Sequence, residues 1–100
     1  MTLAEFQATL ANEHPPSGLL PGLVGLWWMG KGDWHRAHEC VQSAATTDAA
    51  WVHAHLHRRE GDLGNAGYWY HRAGVTSAQG PFEAEWEAIA AALLAADTPG

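Results

Sequence analysis

The sequence predicts an all-α protein: a compact bundle of about six helices in a single domain, residues 1–100. Two observations carry this fold class. Apolar residues recur every three or four positions in several stretches, and Asp, Gly or Pro separates those stretches. No stretch alternates apolar and polar residues as a strand does. With 47% hydrophobic residues and six Trp in 100 residues, the chain can build one packed core.

The first three predicted helices begin at residues that suit helix starts. Thr2 is placed to cap a helix that reaches about Asn12. Pro21 suits the first turn of a second helix through "GLVGLWWMGKG", which is apolar nearly all round and is therefore expected to be central. The third helix begins at Asp33 in "KGDWHRAHECVQSAA" and ends before "TTD".

The last three predicted helices follow the same logic. Asp48 is the expected cap of the fourth, "AAWVHAHLHRRE". The fifth opens at Asp62 and ends near Gly74, and the sixth opens at Pro81. Its apolar stripe consists of Phe82, Trp86, Ile89 and Leu93. The tail, "ADTPG", is expected to fray.

An internal repeat underlies the middle of this layout. The segment "GDWHRAHECVQSA" at 32–44 aligns with "GDLGNAGYWYHRA" at 61–73. The matched pairs are Gly32 and Gly61, Asp33 and Asp62, Trp34 and Leu63, Ala37 and Ala66, and Ala44 and Ala73. In each copy Gly ends one helix, Asp caps the next, and Ala lets the two helices approach closely. The repeat therefore predicts two helix hairpins.

The second copy also carries a family resemblance. "DLGNAGYWYHRAG" resembles the second helix of a Sel1-like repeat, a relative of the tetratricopeptide repeat, through Asp62, Ala66, Trp69, Tyr70, Arg72 and Ala73. Across "WVHAHLHRREGDLGNAGYWYHRAG" the chain is also similar to a family of small, mostly bacterial helical proteins without an assigned activity. The resemblance implies stacked antiparallel helix pairs and a role in binding other proteins. Two copies are fewer than the roughly three that a solenoid needs, which favours a compact bundle.

Charge and composition exclude several classes of partner. A formal charge of -6 with only five Lys and Arg leaves no basic surface for nucleic acid or an anionic membrane. No window approaches the ~20 apolar residues of a membrane span, and a cytoplasmic location is expected. The single cysteine, Cys40, has no partner for an internal disulfide and is expected to be a small buried hydrophobe.

Histidine is the unusual residue type, with seven in the chain. His53 and His57 are four apart on the fourth helix, so both can face one metal ion, and Glu60 can add an oxygen. On the third helix His35, with His38 or Glu39, offers a similar spacing. Together they are candidate ligands for zinc or nickel. The alternative is that His53 and His57 are solvated or bond to the neighbouring hairpin.

A second polar pair falls on the apolar face of the fourth helix. His55 and Arg59 lie there with Trp51, Val52 and Leu56, opposite His53, His57 and Glu60. An unpaired polar group there costs about 1–3 kcal/mol, so both must have partners. Asp48, Asp62 or a flanking Glu is expected for Arg59, and a backbone carbonyl or a tyrosine for His55. A pocket for an acidic small molecule around the pair is the alternative.

The outer side of the fifth helix combines polar side chains with glycine. Tyr68, His71 and Arg72 are expected to project away from a stripe of Leu63, Ala66, Trp69, Tyr70 and Ala73. Gly64 and Gly67 fall on the same outer side. Each costs roughly 1 kcal/mol relative to Ala inside a helix, so another helix or a ligand is expected to use the space.

The tryptophans and the glutamates of the sixth helix are both expected to be mainly structural. Most Trp residues should form the core, but Trp28, which points about 100° away from Trp27, is expected to line a groove or a homodimer interface. Glu83, Glu85 and Glu87 suggest paired carboxylates. Because acidic residues favour a first helical turn, we interpret them as a solvated face.

The leading interpretation is a non-enzymatic binding or scaffold protein without a cofactor, with a protein or peptide partner. Its candidate contact residues are Trp28, His55, Arg59, Tyr68, His71 and Arg72. The alternative is a zinc or nickel protein, including a hydrolase, that uses His53, His57 and one or more of His35, His38 and Glu60. No phosphate-binding glycine loop, nucleophile motif or dinucleotide fingerprint occurs, which disfavours an enzyme.

Overall fold

A computed structural model describes residues 1–97, and within that range the chain forms helices and no strand. The helices are α1 (Leu3–Ala8), α2 (Pro21–Gly30), α3 (Trp34–Gln42), α4 (Thr47–Arg59), α5 (Leu63–Ala73) and α6 (Phe82–Asp97), and a 3₁₀ turn (Thr9–Ala11) extends α1. The molecule measures 32 × 29 × 27 Å. The predicted all-α compact bundle is therefore confirmed. Part of the predicted frayed tail, residues 98–100, lies outside the described residues.

The two predicted hairpins are α2 with α3 and α4 with α5. Each bend has a glycine with φ above +80°, Gly32 or Gly61, at which the first helix ends. The side chain of the next residue accepts a hydrogen bond from a backbone N–H of the following helix, which makes Asp33 and Asp62 the caps. The alanine four residues after each Asp is buried where the helices meet. The repeat thus folds locally as its sequence predicts.

The core lies around α4, which packs against α2, α3, α5 and α6. Its largest fully buried apolar side chains are Trp27, Phe6, Leu26, Leu56 and Ile89. Helix α6 covers α2 and α4, and α1 packs on α6. Because α4 has neighbours on most of its circumference, both of its faces are buried. This central position brings its histidines into the interior.

Some predicted boundaries and exposures were wrong. Helix α4 is capped by the Thr46 hydroxyl, and Asp48 lies inside the first turn. Leu63 was placed on the inner stripe of α5, yet 69% of its surface is exposed, because it is the first residue of the helix and directly follows the exposed bend at Gly61 and Asp62. Phe82 begins the α6 stripe and is 37% exposed, whereas Trp86, Ile89 and Leu93 are buried.

The space beside Gly64 and Gly67 is open. A Cβ atom built on either glycine meets no atom within 4 Å, so no helix of the described chain uses the space that they leave. Helix packing within residues 1–97 does not explain these glycines.

Among the described residues, no helix is both long and apolar enough to cross a bilayer.

Candidate functional site

Three histidines from two helices meet beside the α4–α5 hairpin. His53 and His57 come from successive turns of α4, and His38 comes from α3, which packs against it. One ring nitrogen from each residue lies within 4.8 Å of the others. The ring centroids are 4.7 Å apart for His38 and His53, 4.8 Å for His53 and His57, and 5.4 Å for His38 and His57. We call these residues the histidine cluster.

His53 is the buried centre of the histidine cluster. Its Nε2 lies 3.1 Å from Nε2 of His38, so one of these nitrogens donates to the other. Its Nδ1 is buried and has no hydrogen-bond partner among the described residues. Burial, followed by the neighbouring His38 and His57 rings, lowers the pKa of His53 to about 4. Burial and His57 also lower the pKa of His38. His38 and His53 are therefore neutral near pH 7.

Glu60 contacts the third ring of the histidine cluster, that of His57. Its Oε1 lies 2.6 Å from Nδ1 of His57, one helical turn earlier. A carboxylate at this position accepts the Nδ1 proton, which leaves the Nε2 lone pair of a neutral ring available. Metal-binding histidines are commonly oriented by such a carboxylate. Glu60 was predicted to supply an oxygen to the ion itself, whereas its Oε1 contacts the His57 ring instead.

Two tryptophans fix the sides of the histidine cluster. Trp34 stacks on His38 with ring centroids 4.9 Å apart, and its Nε1 donates to the carbonyl of Leu56 at 2.8 Å. Trp69 stacks on His53 at 3.9 Å. Because flat rings cover both imidazoles, His38 and His53 have little freedom to rotate. Neither tryptophan was among the predicted site residues.

Only some of the predicted metal ligands lie together in the structure. His38, His53, His57 and Glu60 come together. His53 and His57 are buried rather than solvated, and His53 shares a hydrogen bond with His38 of the neighbouring hairpin, as the alternative interpretation expected. His35 is exposed and does not join the cluster. Asp62 lies close to His57 and Glu60, but its carboxylate already caps α5. The ligand set present is thus three imidazoles with one carboxylate behind them.

Such a set has a defined chemistry. Neutral imidazole is a good ligand for Zn²⁺, Ni²⁺ and Cu²⁺, and three histidines can fill three of the four positions of a tetrahedral zinc ion. The fourth position would then go to water or to a ligand. Near pH 7, His38 and His53 are already neutral, so neither ring has to lose a proton before it binds an ion.

A second polar cluster lies in the interior between α4, α5 and α6. Glu85, which was interpreted as part of a solvated face, is buried. Its Oε1 lies 2.7 Å from Nδ1 of His55 and accepts from Arg58 at 3.2 Å, and its Oε2 accepts from the hydroxyl of Tyr70. The error has a physical reason, because Glu85 is four residues before Ile89 and shares its inward face. That spacing was the signal that could have found it.

The protonation of His55 follows from its partners. Nε of Arg59 donates to Nε2 of His55 at 2.8 Å. An arginine side chain only donates, so Nε2 of His55 is unprotonated and accepts this hydrogen bond. Its Nδ1 therefore carries the proton that Glu85 accepts. The expected tyrosine or carbonyl is therefore not the partner of His55. The carboxylates of Glu83 and Glu85 on flanking α6 favour the charge of Arg59, but neither is its hydrogen-bond partner. His55 is fully buried and cannot contact a partner protein directly.

Opposing effects set the ionisation of this cluster. Burial opposes the charge on Glu85, but hydrogen bonds from His55, Tyr70 and Arg58 outweigh it and keep the pKa of the carboxyl below its ordinary value. Burial and the bond to Glu85 raise the pKa of Tyr70. The cluster thus holds an ionised carboxylate inside the fold at neutral pH.

The remaining predicted contact residues lie on two helices. Tyr68, His71 and Arg72 are exposed on α5, as predicted, and Arg72 donates to the Tyr68 hydroxyl at 3.2 Å. Trp28 is half-buried on α2, and the guanidinium carbon of Arg36 lies 4.6 Å from its ring centroid. Trp28 is therefore partly covered within the chain.

No family model, curated protein or solved structure matches the chain. The resemblance to Sel1-like repeats and to small helical bacterial proteins therefore stays a prediction based on the residues quoted above.

Proposed function

We propose that this protein binds one divalent transition-metal ion of the zinc class through His38, His53 and His57. The observation that carries the proposal is the convergence of three ring nitrogens within 4.8 Å in a largely buried site. Three imidazoles packed this closely are poor neighbours for one another as cations, and as neutral rings they share a single hydrogen bond. A metal ion would use the lone pairs that the rings cannot satisfy among themselves.

Preorganisation supports the same assignment. The bond from His57 to Glu60 and the stacking of Trp34 and Trp69 hold the rings before an ion arrives. A ligand set that is already ordered loses little entropy on binding. The buried Nδ1 of His53 has no hydrogen-bond partner, which is costly in a purely structural cluster, and coordination of an ion by that nitrogen would remove the cost.

The direct test is metal titration of protein purified without an affinity tag. We expect about one Zn²⁺ per chain by calorimetry and elemental analysis, and Co²⁺ should give the visible absorption of a four-coordinate ion. His38→Gln should weaken binding at least about tenfold, and Glu60→Gln by roughly 10-fold to 100-fold.

His35→Gln is the matched control, because His35 lies on the same helix as His38 but outside the histidine cluster. It should leave affinity and stoichiometry unchanged. The proposal fails if tag-free protein binds no stoichiometric Zn²⁺ or Co²⁺, or if His35→Gln and His38→Gln weaken binding equally.

A second candidate function is self-association or partner binding through α5. Leu63 and Tyr68 are 69% and 53% exposed on this helix, and the space beside Gly64 and Gly67 is open. Large exposed apolar side chains around uncovered backbone are typical of an interface. If α5 forms a homodimer, sedimentation equilibrium will show a dimer that Tyr68→Ala weakens. A wild-type chain that is monomeric at all accessible concentrations would contradict self-association.

A further inference from the structure

A cleft separate from the histidine cluster opens where the ends of α2 and α4 meet the start of α6. Its volume is about 460 Å³, which is in the range of small-molecule sites. One part of its lining is apolar and consists of Leu10, Met29 and Trp86. The other part is polar and consists of Arg59, Glu83, Glu87 and Gln7, whose Nε2 donates to Oε1 of Glu87 at 3.4 Å.

Arg59 is held in place by the interior of the protein. Its Nε is bound to fully buried His55, which is fixed in turn by Glu85. Its two terminal nitrogens donate to no side chain or carbonyl among residues 1–96, although Glu83 and Glu85 on α6 favour its charge. The fold therefore positions a guanidinium group and leaves unused the two donors that best match a carboxylate.

The two glutamates determine what kind of carboxylate the cleft can accept. Glu83 and Glu87 lie one helical turn apart on α6, and both are exposed. Their two negative charges outnumber the single positive charge of Arg59 in the lining of the cleft. They would repel a ligand that carries a carboxylate alone, whereas Arg59 would repel a simple amine. A ligand that carries both charges matches both walls.

We propose that this cleft binds a free α-amino acid with an apolar side chain. Its carboxylate contacts the terminal nitrogens of Arg59, its ammonium group faces Glu83 and Glu87, and its side chain packs against Leu10 and Met29. This site is independent of the histidine cluster and requires no metal ion.

The test uses three ligands that share the isobutyl side chain: L-leucine, 4-methylpentanoate and 3-methylbutylamine. By calorimetry in the presence of a chelator, we expect L-leucine to bind with a dissociation constant below about 1 mM. Each analogue lacks one of the two charged groups and should bind at least about tenfold more weakly. Binding should also change the fluorescence of Trp86 in the cleft.

Two variants separate the charged walls. Arg59→Gln should abolish L-leucine binding, with near-UV circular dichroism to check that the fold persists. The surface double variant Glu83→Gln with Glu87→Gln leaves the interior untouched and should shift the preference towards 4-methylpentanoate. Glu39→Gln, an exposed glutamate on α3, is the control and should leave binding unchanged. The proposal is overturned if L-leucine gives no signal at about 10 mM, if 4-methylpentanoate binds wild type as tightly, or if the double variant keeps the wild-type preference.

Discussion

Glu85 accepts hydrogen bonds from three side chains, those of His55, Arg58 and Tyr70, which come from two different helices. All three groups donate, so the position requires a group that only accepts. An ionised carboxylate meets that requirement, and its charge is matched by Arg58 at the edge of the interior. Burying this cluster costs desolvation, but once it is built, loss of one member leaves the others unpaired.

We therefore expect Glu85→Gln to lower the free energy of unfolding by about 3 kcal/mol. The amide offers one oxygen to three donors and turns an N–H group towards one of them. Urea unfolding followed by circular dichroism measures the change. Glu83→Gln, two residues earlier on an exposed face of α6, is the control and should stay within about 0.5 kcal/mol of wild type. Equal midpoints for the two variants would show that the Glu85 contacts add no net stability.

At the scale of the helix hairpin, the bend between α4 and α5 depends on one glycine. Gly61 has φ +84° with open space around it, so its conformation, not crowding, excludes other residues. Gly67 lies inside α5, also in open space, but with ordinary helical φ. The two glycines thus separate the conformational effect of a Cβ atom from its packing effect.

Opposite effects are expected when each glycine is replaced by alanine. Gly61→Ala should lower the free energy of unfolding by about 1–2 kcal/mol, because alanine is strained in the left-handed region. Gly67→Ala should raise it by up to about 1 kcal/mol, because alanine favours a helix interior. Differential scanning calorimetry of both variants gives the signs. A loss of stability in Gly67→Ala would mean that this face of α5 is covered in solution.

The local parts of this fold could be predicted from the sequence, and the contacts between helices could not. Caps and bends depend on residues within one turn, and so Asp33, Asp62 and the glycines before them were predicted correctly, although the cap of α4 is Thr46 and not the predicted Asp48. Whether His35 or His38 joins His53 depends on how α3 is rotated against α4, and both residues had suitable spacing. Tertiary packing also decided that Glu85 is buried, although the preference of acidic residues for a first turn favoured solvent.

At the scale of the whole molecule, two interior clusters make stability depend on pH in the same direction. His53 has a folded pKa of about 4 against an ordinary value of 6.5. Between those values the unfolded chain binds a proton that the folded chain excludes, so acid favours unfolding. Glu85 acts at lower pH, since its folded pKa is below the ordinary 4.5. Its contribution is present above that ordinary value and is lost as the pH falls through the folded pKa.

The metal-free protein should therefore lose stability in two stages as the pH falls. His53 alone accounts for a loss on the order of 3 kcal/mol between about pH 6.5 and pH 4, because each pKa unit is worth about 1.4 kcal/mol. Urea midpoints measured in a chelator, from about pH 7.5 to pH 4.5, should fall most steeply in the acidic half of that range.

In His53→Gln the slope should be shallower, because glutamine does not titrate, whereas His35→Gln, changed at an exposed position, should keep the wild-type slope. Midpoints that stay level from neutral pH to about pH 5 would mean that folding does not lower the pKa of His53. Its ring would then become a cation inside the histidine cluster below its ordinary pKa of 6.5, and in that acidic range an incoming metal ion would have to displace the proton.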